Sequence, residues 1–305
     1  MAELTPEKFQ IVGYKEEDVN KIGRPPISFW QDAWRRLRQN PVSMTALAVL
    51  TFIVVMVIIG PKLRGYDYIT MKIALKNKPA SSEFWFGTDG LGRDLFSRVW
   101  VGTRASIIIA LAATFVKIVV GTLYGAFMAH FGGWLDEVLM RIIELINSIP
   151  SLLVTMLVMM VLGNSLVSLL TALSVTSWCS TARQTRGMIK QLKEYEYIYA
   201  AEVLGAKPLR VILKHYVPNM IGILILDAST AIPGFIFTEA GLSFLGIGLK
   251  APSISLGVLI SMGQQTMDFY PYQLFYPCLL LCVIVMAFNL LGDGLRNALD
   301  PKLRR

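Results

Sequence analysis

Apolar residues in this chain fall in long unbroken blocks, a pattern that neither the alternation of half-buried strands nor the single stripe of a surface helix produces. Residues 43–60 form an uncharged run that closes at Gly60 and Pro61, and the next begins near Ala105 and reaches His130. A third follows Gly132 and Gly133, from around Leu135 to Leu162, and further blocks cover 165–182, 219–238 and 272–292. At ~1.5 Å per helical residue each block is about long enough for the ~30 Å hydrocarbon layer of a bilayer, and the third is longer than it needs to be. The first turns of that third helix are therefore expected to project beyond the membrane. Pro150 and Pro233 lie inside the third and fifth blocks and are expected to bend or loosen them. Ahead of the first block, residues 28–39 place Phe29, Trp30, Trp34 and Leu37 near one helix face, with Gln31, Asp32, Arg35, Arg36 and Arg38 mostly on the other. Such a helix lies along a membrane surface.

Composition agrees: 54% of the 305 residues are hydrophobic and 16% are charged, against roughly 25% charged in soluble domains. The first forty residues are polar with no apolar stretch behind a basic start, so no cleavable secretory signal is expected. Cys179, Cys278 and Cys282 sit in or beside apolar segments and read as small packing residues, and the two histidines, His130 and His215, are too few and too isolated for a metal site. The formal charge of +8 bears on topology before nucleic acid, because six crossings put both termini on one side. With both termini inside, the inside segments hold about twice the Lys and Arg of the outside ones, as the positive-inside rule requires. The long first outside loop, which is itself basic, runs against that rule. The organisation expected is a cytoplasmic N-terminal segment with its interfacial helix (1–42), a first crossing with a long extracytoplasmic loop (43–104), a five-helix core (105–292) and a cytoplasmic tail (293–305).

The inside loop 183–218 is far longer than a connection between neighbouring helices needs to be. Residues 194–204 favour a helix, Gly205 suits its stop, and Pro208 suits the first turn of a second helix expected to end before Pro218. Ala200, Ala201, Gly205 and Ala206 supply little side-chain bulk around this bend, so another surface can approach the backbone closely.

Tyr199-Ala200-Ala201, then Gly205 and finally Val217-Pro218 resemble the EAA loop of ABC importer permeases, with Tyr199 in place of the leading Glu. The ending His215-Tyr216-Val217-Pro218-Asn219 is similar to the HxxPN variant of the peptide-transporter branch. The resemblance extends to residues 86–94 (FGTDGLGRD), 131–134 (FGGW), 238–246 (TEAGLSFLG) and 292–301 (GDGLRNALDP), which look like blocks of the OppC and DppC-type subunits. It implies an all-α integral membrane protein, a six-transmembrane-helix ABC importer permease of the MetI-like type I class, in a bacterial cell membrane with both termini cytoplasmic. Tyr199, Ala200, Ala201, Glu202, Gly205, Ala206, Lys207 and Pro218 would then form the coupling loop to an ATPase. The implied partners are a second homologous permease, two ATP-binding-cassette ATPase subunits, an extracytoplasmic solute-binding protein and membrane lipid, with no nucleic acid. Oligopeptides are the first substrate class implied, with dipeptides and nickel chelates open in the same branch.

The glycines at 87, 90 and 92 do not make a phosphate loop, because no Gly-Lys-Ser/Thr follows them. No cofactor is therefore expected on this chain, and ATP and Mg are expected on partner ATPase subunits. Lys117 and Asp227 are charges inside apolar blocks, costly there unless they pair with one another or face a water-filled path, and both readings stand at this point. Gly121 and Gly125, four residues apart, are expected to let another helix approach closely. Glu239, at the end of the fifth block, reads as a loop anchor ahead of a substrate contact. A rival of another class is an ion-driven secondary transporter using Lys117 and Asp227 as coupling charges. It would need inverted repeats and broken helices, which the sequence does not display.

Overall fold

The computed structural model of the chain describes residues 28–63, 65–250 and 252–299. Within them the regular structure is helical, apart from an isolated bridge between Thr88 and Asp94 in the loop ahead of Leu95. Helix α1 (Phe29–Gln39) buries Ala33 and Leu37 and leaves Trp30 and Trp34 half exposed, with the Arg38 guanidinium 5.2 Å from the Trp34 ring centre. The Asn40 carboxamide then caps α2 (Pro41–Leu63) by accepting from the Val42 and Ser43 N–H groups. Gly60 and Pro61 do not end this helix as expected. They lie in its last turn, where Gly60 packs directly on the Trp100 ring.

Helix α3 (Leu95–Phe131) begins ten residues before the expected start at Ala105. Asp94 caps it, accepting from the Ser97 N–H at 2.8 Å and the Ser97 hydroxyl at 2.6 Å. Its first turns are held by Leu95, Phe96, Val99 and Trp100, which join the largest apolar core of the molecule. Arg98, a charge within these first turns, lies 3.3 Å from Asp89. At 37 residues the helix is about 55 Å long and overshoots the hydrocarbon layer. The preceding loop is ordered around Asp89, which accepts from Arg93 Nε at 2.7 Å and from the Leu91 N–H, and around Thr88, which bonds the backbone of Leu75 and Lys78. Tyr272 and Gln273 tie this loop to the last helix.

The third expected crossing is not one helix. It is a pair, α4 (Gly133–Asn147) and α5 (Ser151–Leu162), bent by 80°. Pro150 has no N–H to continue the ladder, and the Ser148 hydroxyl donates to the Leu145 carbonyl at 2.7 Å, so α4 stops there. Helix α6 (Leu166–Leu192), capped by Ser165, contains the expected block 165–182 and runs ten residues further. Then come α7 (Glu196–Val203) and α8 (Pro208–Phe244). The expected break before Pro218 does not occur: a π turn at Ile212–Tyr216 widens the helix ahead of the proline, and α8 continues as one rod through Pro218 and Pro233. After it, a short helix α9 (Leu256–Gln264) folds back into the bundle, with Leu256 and Leu259 buried, and α10 (Tyr272–Leu299) closes the chain. Helix α10 continues seven residues into the expected tail, and Asp300 and Pro301 lie outside the described residues.

Among the described residues, α2, α3, α8 and α10 are each long and apolar enough to cross a membrane, and α4 with α5 makes a fifth crossing if the bent pair is one span. Helix α6 falls outside that count because Ser and Thr interrupt its apolar half, yet it makes the most extensive helix pairing of the fold, along α3. Gly121 and Gly125 explain the pairing: a Cβ on the first would meet Thr181 and the Trp178 carbonyl, and on the second the backbone of Ala182.

Candidate coupling bend and buried charges

Helix α7 is one short arm of a bend whose other arm is the start of α8. Leu204 and Gly205 close it, the Gly205 N–H donating to the Glu202 carbonyl at 2.9 Å and the Ala206 N–H to the Ala201 carbonyl at 3.1 Å. Gly205 adopts φ +81°, the left-handed conformation that glycine enters without steric cost. Pro208 then starts α8 in the position where its missing N–H costs nothing.

The inner side of the bend is bolted to the bundle. Ile198, Val211, Ile212, Tyr216 and Met220 pack with Ala126 and Ala129 of α3 and Ile189 of α6 in one buried cluster. Polar contacts reinforce it: Lys193 Nζ donates to the His130 carbonyl at 3.0 Å at the end of α3, and the Asn219 amide donates to the Tyr197 hydroxyl at 3.2 Å. Glu202 sits 3.6 Å from His130 Nδ1 and accepts from the Tyr216 hydroxyl at 3.5 Å.

The outer side is open. Tyr199, Ala200, Gly205 and Lys207 are exposed, Ala201, Glu202 and Ala206 are partly so, and a Cβ built on Gly205 would meet nothing within 4 Å among the described residues. Reading for small residues missed the crest's aliphatic tip, made by Val203 (68% exposed), Leu204 (87%) and Leu209 (62%). Apolar residues flanking a glycine stop are the signal that could have found them, since clustered exposed aliphatics mark contact surfaces. Pro218 is not part of this crest. It lies about 15 Å along α8 from Pro208, in the wall of an apolar groove between α1, α8 and α10.

Lys117 and Asp227 meet. The ammonium on α3 lies 2.5 Å from Asp227 Oδ1 on α8, and the other carboxylate oxygen accepts from the Thr181 hydroxyl of α6 at 2.6 Å. Lys117 is 8% exposed. The trio pins three helices together at the level where Gly121 lets α3 and α6 touch. A second cluster, which the sequence did not suggest, joins Asp136 of α4 to Arg186 and Lys190 of α6 at 2.5–2.8 Å.

Glu239 is fully buried in α8 and takes three hydroxyl donors, from Ser106 of α3 at 2.7 Å, Ser243 at 2.9 Å and Ser255 at 2.6 Å. Ser255 also caps α9, and Ser106 also accepts from the Leu256 N–H. The carboxylate thus holds the returning helix α9 against α3. Replacing Glu239 by leucine strands three buried hydroxyls and is expected to cost about 3 kcal/mol of stability, with the conservative glutamine costing less. Thermal unfolding of the purified protein in detergent checks this, and equal melting of wild type and the leucine variant would remove the anchoring role.

Two family models match the chain. Residues 121–305 match the binding-protein-dependent transport system inner membrane component, and residues 28–80 match the N-terminal TM domain of oligopeptide transport permease C. The chain is 41% identical over 305 residues to the oligopeptide transport system permease protein OppC of Bacillus subtilis (strain 168), covering 100% of both. It is also 41% identical over 300 residues to the dipeptide transport system permease protein DppC of the same organism, covering 98% of this chain and 94% of that one. Among solved structures, an inward-facing MetNI methionine ABC transporter aligns with TM-score 0.53 and 18% identity, over 66% of this chain and 96% of that chain, which is a likeness of fold.

Proposed function

Because the chain belongs to the family of binding-protein-dependent transport system inner membrane components, we propose that it is one of two membrane-spanning subunits of an ATP-driven importer, and that the cargo is oligopeptides. The observation that carries the reading is the bend at Gly205, open on its outer side and packed on its inner side against α3, α6 and α8. A load applied to Tyr199, Val203, Leu204 and Lys207 from outside has no slack to take up, so it moves three long helices together. Two cytoplasmic ATPase subunits that hold ATP and Mg would supply that load. The bundle then moves between two packings whose balance the nucleotide sets.

The remaining assignments follow from this placement. The bend faces the cytoplasm and both termini lie on its side, so the loop at residues 65–94 and the segment at 245–271 face outward, where a solute-binding protein delivers cargo. A second permease covers the lipid-depth faces that α5 leaves exposed, where Leu157, Met160 and Val161 are 58%, 80% and 82% exposed. Dipeptides are the second reading, favoured by the equal identity to the DppC relative.

Co-expression and reconstitution test the proposal. The chain is expected to purify with two ATPases and a second permease and, in vesicles holding all of them with the binding protein, to accumulate peptide only when ATP is supplied. Accumulation by this chain alone, driven by an ion gradient, would instead select the secondary-transporter reading.

A further inference from the structure

Where α4 gives way to α5, the backbone leaves the helical ladder at Ser148, Ile149 and Pro150 and turns through 80°. Irregular backbone at membrane depth persists only when it is buried in protein or faces a water-filled cavity, since lipid offers no partner to N–H and C=O groups. Here the break borders a cavity of about 270 Å³ between α5, α6 and α8. Its polar lining comes from Asn147, Ser151, Thr155, Thr176, Ser177, Ser180 and Thr238, and no charged side chain among the described residues lines it.

The hydroxyls are arranged in a particular way. Thr155, Ser180 and Thr238 give their hydrogens to carbonyls of their own helices, at Ser151 (2.8 Å), Ser177 (3.1 Å) and Gly234 (2.8 Å), so their oxygens remain as acceptors. The Ser177 hydroxyl oxygen is shut off from solvent and has no hydrogen-bond partner among the described residues. Thr181, the residue after Ser180, is engaged with the Asp227 carboxylate, whose charge Lys117 balances, so the nearest ions are paired with one another. Asn147, Ser180 and Thr238 are exposed at the rim, leaving the cavity open on the side away from this bundle.

A surface that offers neutral acceptors, a carboxamide and no charge has the hydrogen-bonding character of a peptide group. It can exchange hydrogen bonds with any main chain while giving no preference to acidic or basic side chains. We propose that this hydroxyl-lined groove is a peptide-backbone subsite on the translocation route, holding a short stretch of uncharged main chain as an oligopeptide passes. At about 270 Å³ it lies near the lower limit of the ~300–1,000 Å³ of ligand pockets, which suits part of a peptide, the rest being held by the facing permease. This inference rests on the peptide-importer reading and adds to it the residues that touch the cargo.

The complete importer, with both permeases, both ATPases and the binding protein, is reconstituted in vesicles. It is given three probes: trialanine and the same tripeptide with a central lysine or a central glutamate. Placing an acid in the groove by Ser177→Asp is expected to raise the lysine-to-glutamate uptake ratio about tenfold over wild type, a change of preference that a mere packing defect does not produce. Should Ser177→Asp fail to assemble, Ser180→Asp at the exposed rim gives the same readout. Failure of both to assemble assigns these hydroxyls to packing and overturns the proposal. A wild-type complex that takes up none of the probes overturns the importer reading and the groove with it. A working wild type whose aspartate variants keep the wild-type ratio overturns the groove alone.

Discussion

Replacing Gly205 by leucine is expected to abolish ATP-driven uptake and binding-protein-stimulated ATP hydrolysis while leaving the chain folded in the membrane. Two effects act at this residue, and they differ in size. The first is conformational: φ is +81°, and a branched side chain held there strains the backbone by about 1–2 kcal/mol. That strain falls on an exposed turn whose arms are fixed by the buried cluster of Ile198, Val211, Ile212 and Tyr216 with α3 and α6, so the bundle tolerates it. The second is steric and lies outside the chain. Among the described residues nothing is within 4 Å of a Cβ on Gly205, so a leucine there fills the space that the proposed ATPase contact requires. Losing close packing at the centre of a contact costs about 3 kcal/mol, a factor of about a hundred in affinity. Gly205→Asn separates the two effects, because asparagine accepts the left-handed conformation and adds less bulk. It is expected to fall between wild type and leucine in ATPase co-purification and in coupled hydrolysis. Membrane insertion and size-exclusion behaviour should not change in either variant. Wild-type coupling in the leucine variant would remove the crest from force transmission.

What sequence reading reached, and what it did not, divides along physical lines. Blocks 43–60 and 272–292 are visible as spans because lipid-facing helices are apolar all round, and that signal does not depend on neighbours. The start of α3 at Leu95 is hidden because Arg98 is charged, and only the fold shows that Asp89 lies beside it. Helix α6 keeps a polar half for the same kind of reason: Thr181 and Thr185 face α3, and Thr176, Ser177 and Ser180 face the groove. Helix α9 lies between blocks 219–238 and 272–292 and leaves no signal of its own, since nine residues are too few for a periodic pattern and its place in the bundle depends on Glu239, sixteen positions before its cap at Ser255. Pro218 misled in the opposite direction. Proline ordinarily ends a helix, and the π turn that accommodates it at Ile212–Tyr216 has no local sequence signature. The bend at Gly205 is legible because glycine followed by Pro208 is a short-range stop and start, and the aliphatic crest of Val203, Leu204 and Leu209 leaves a weaker signal, apolar residues flanking that stop, which the fold makes plain by leaving them exposed.

Asp227→Asn is expected to impair assembly rather than to alter transport selectively, and the reason is the asymmetry between removing one ion and removing two. In the wild type Lys117 is 8% exposed and its ammonium is balanced by Asp227, whose second oxygen is held by Thr181. Asparagine can still accept from Thr181 but leaves the ammonium buried without a counter-charge, which typically costs about 3–5 kcal/mol. Because Lys117, Thr181 and Asp227 stand on α3, α6 and α8, that cost loosens the same three helices that carry the Gly205 bend. The yield of assembled complex and its unfolding temperature in detergent should both drop. Adding Lys117→Met should recover most of the loss, since an apolar side chain of similar length removes the unpaired charge and a neutral replacement of a buried pair is often close to neutral in stability. Peptide uptake is the deciding measurement on that double variant. If the charges serve only to pin helices, the rescued importer transports at near wild-type rates, and an ion-coupled mechanism, which could not run without them, is excluded by the same result. If the double variant assembles normally and transports nothing, or if Asp227→Asn alone assembles as well as wild type with altered uptake, the pair belongs to the route itself and the helix-pinning role is wrong.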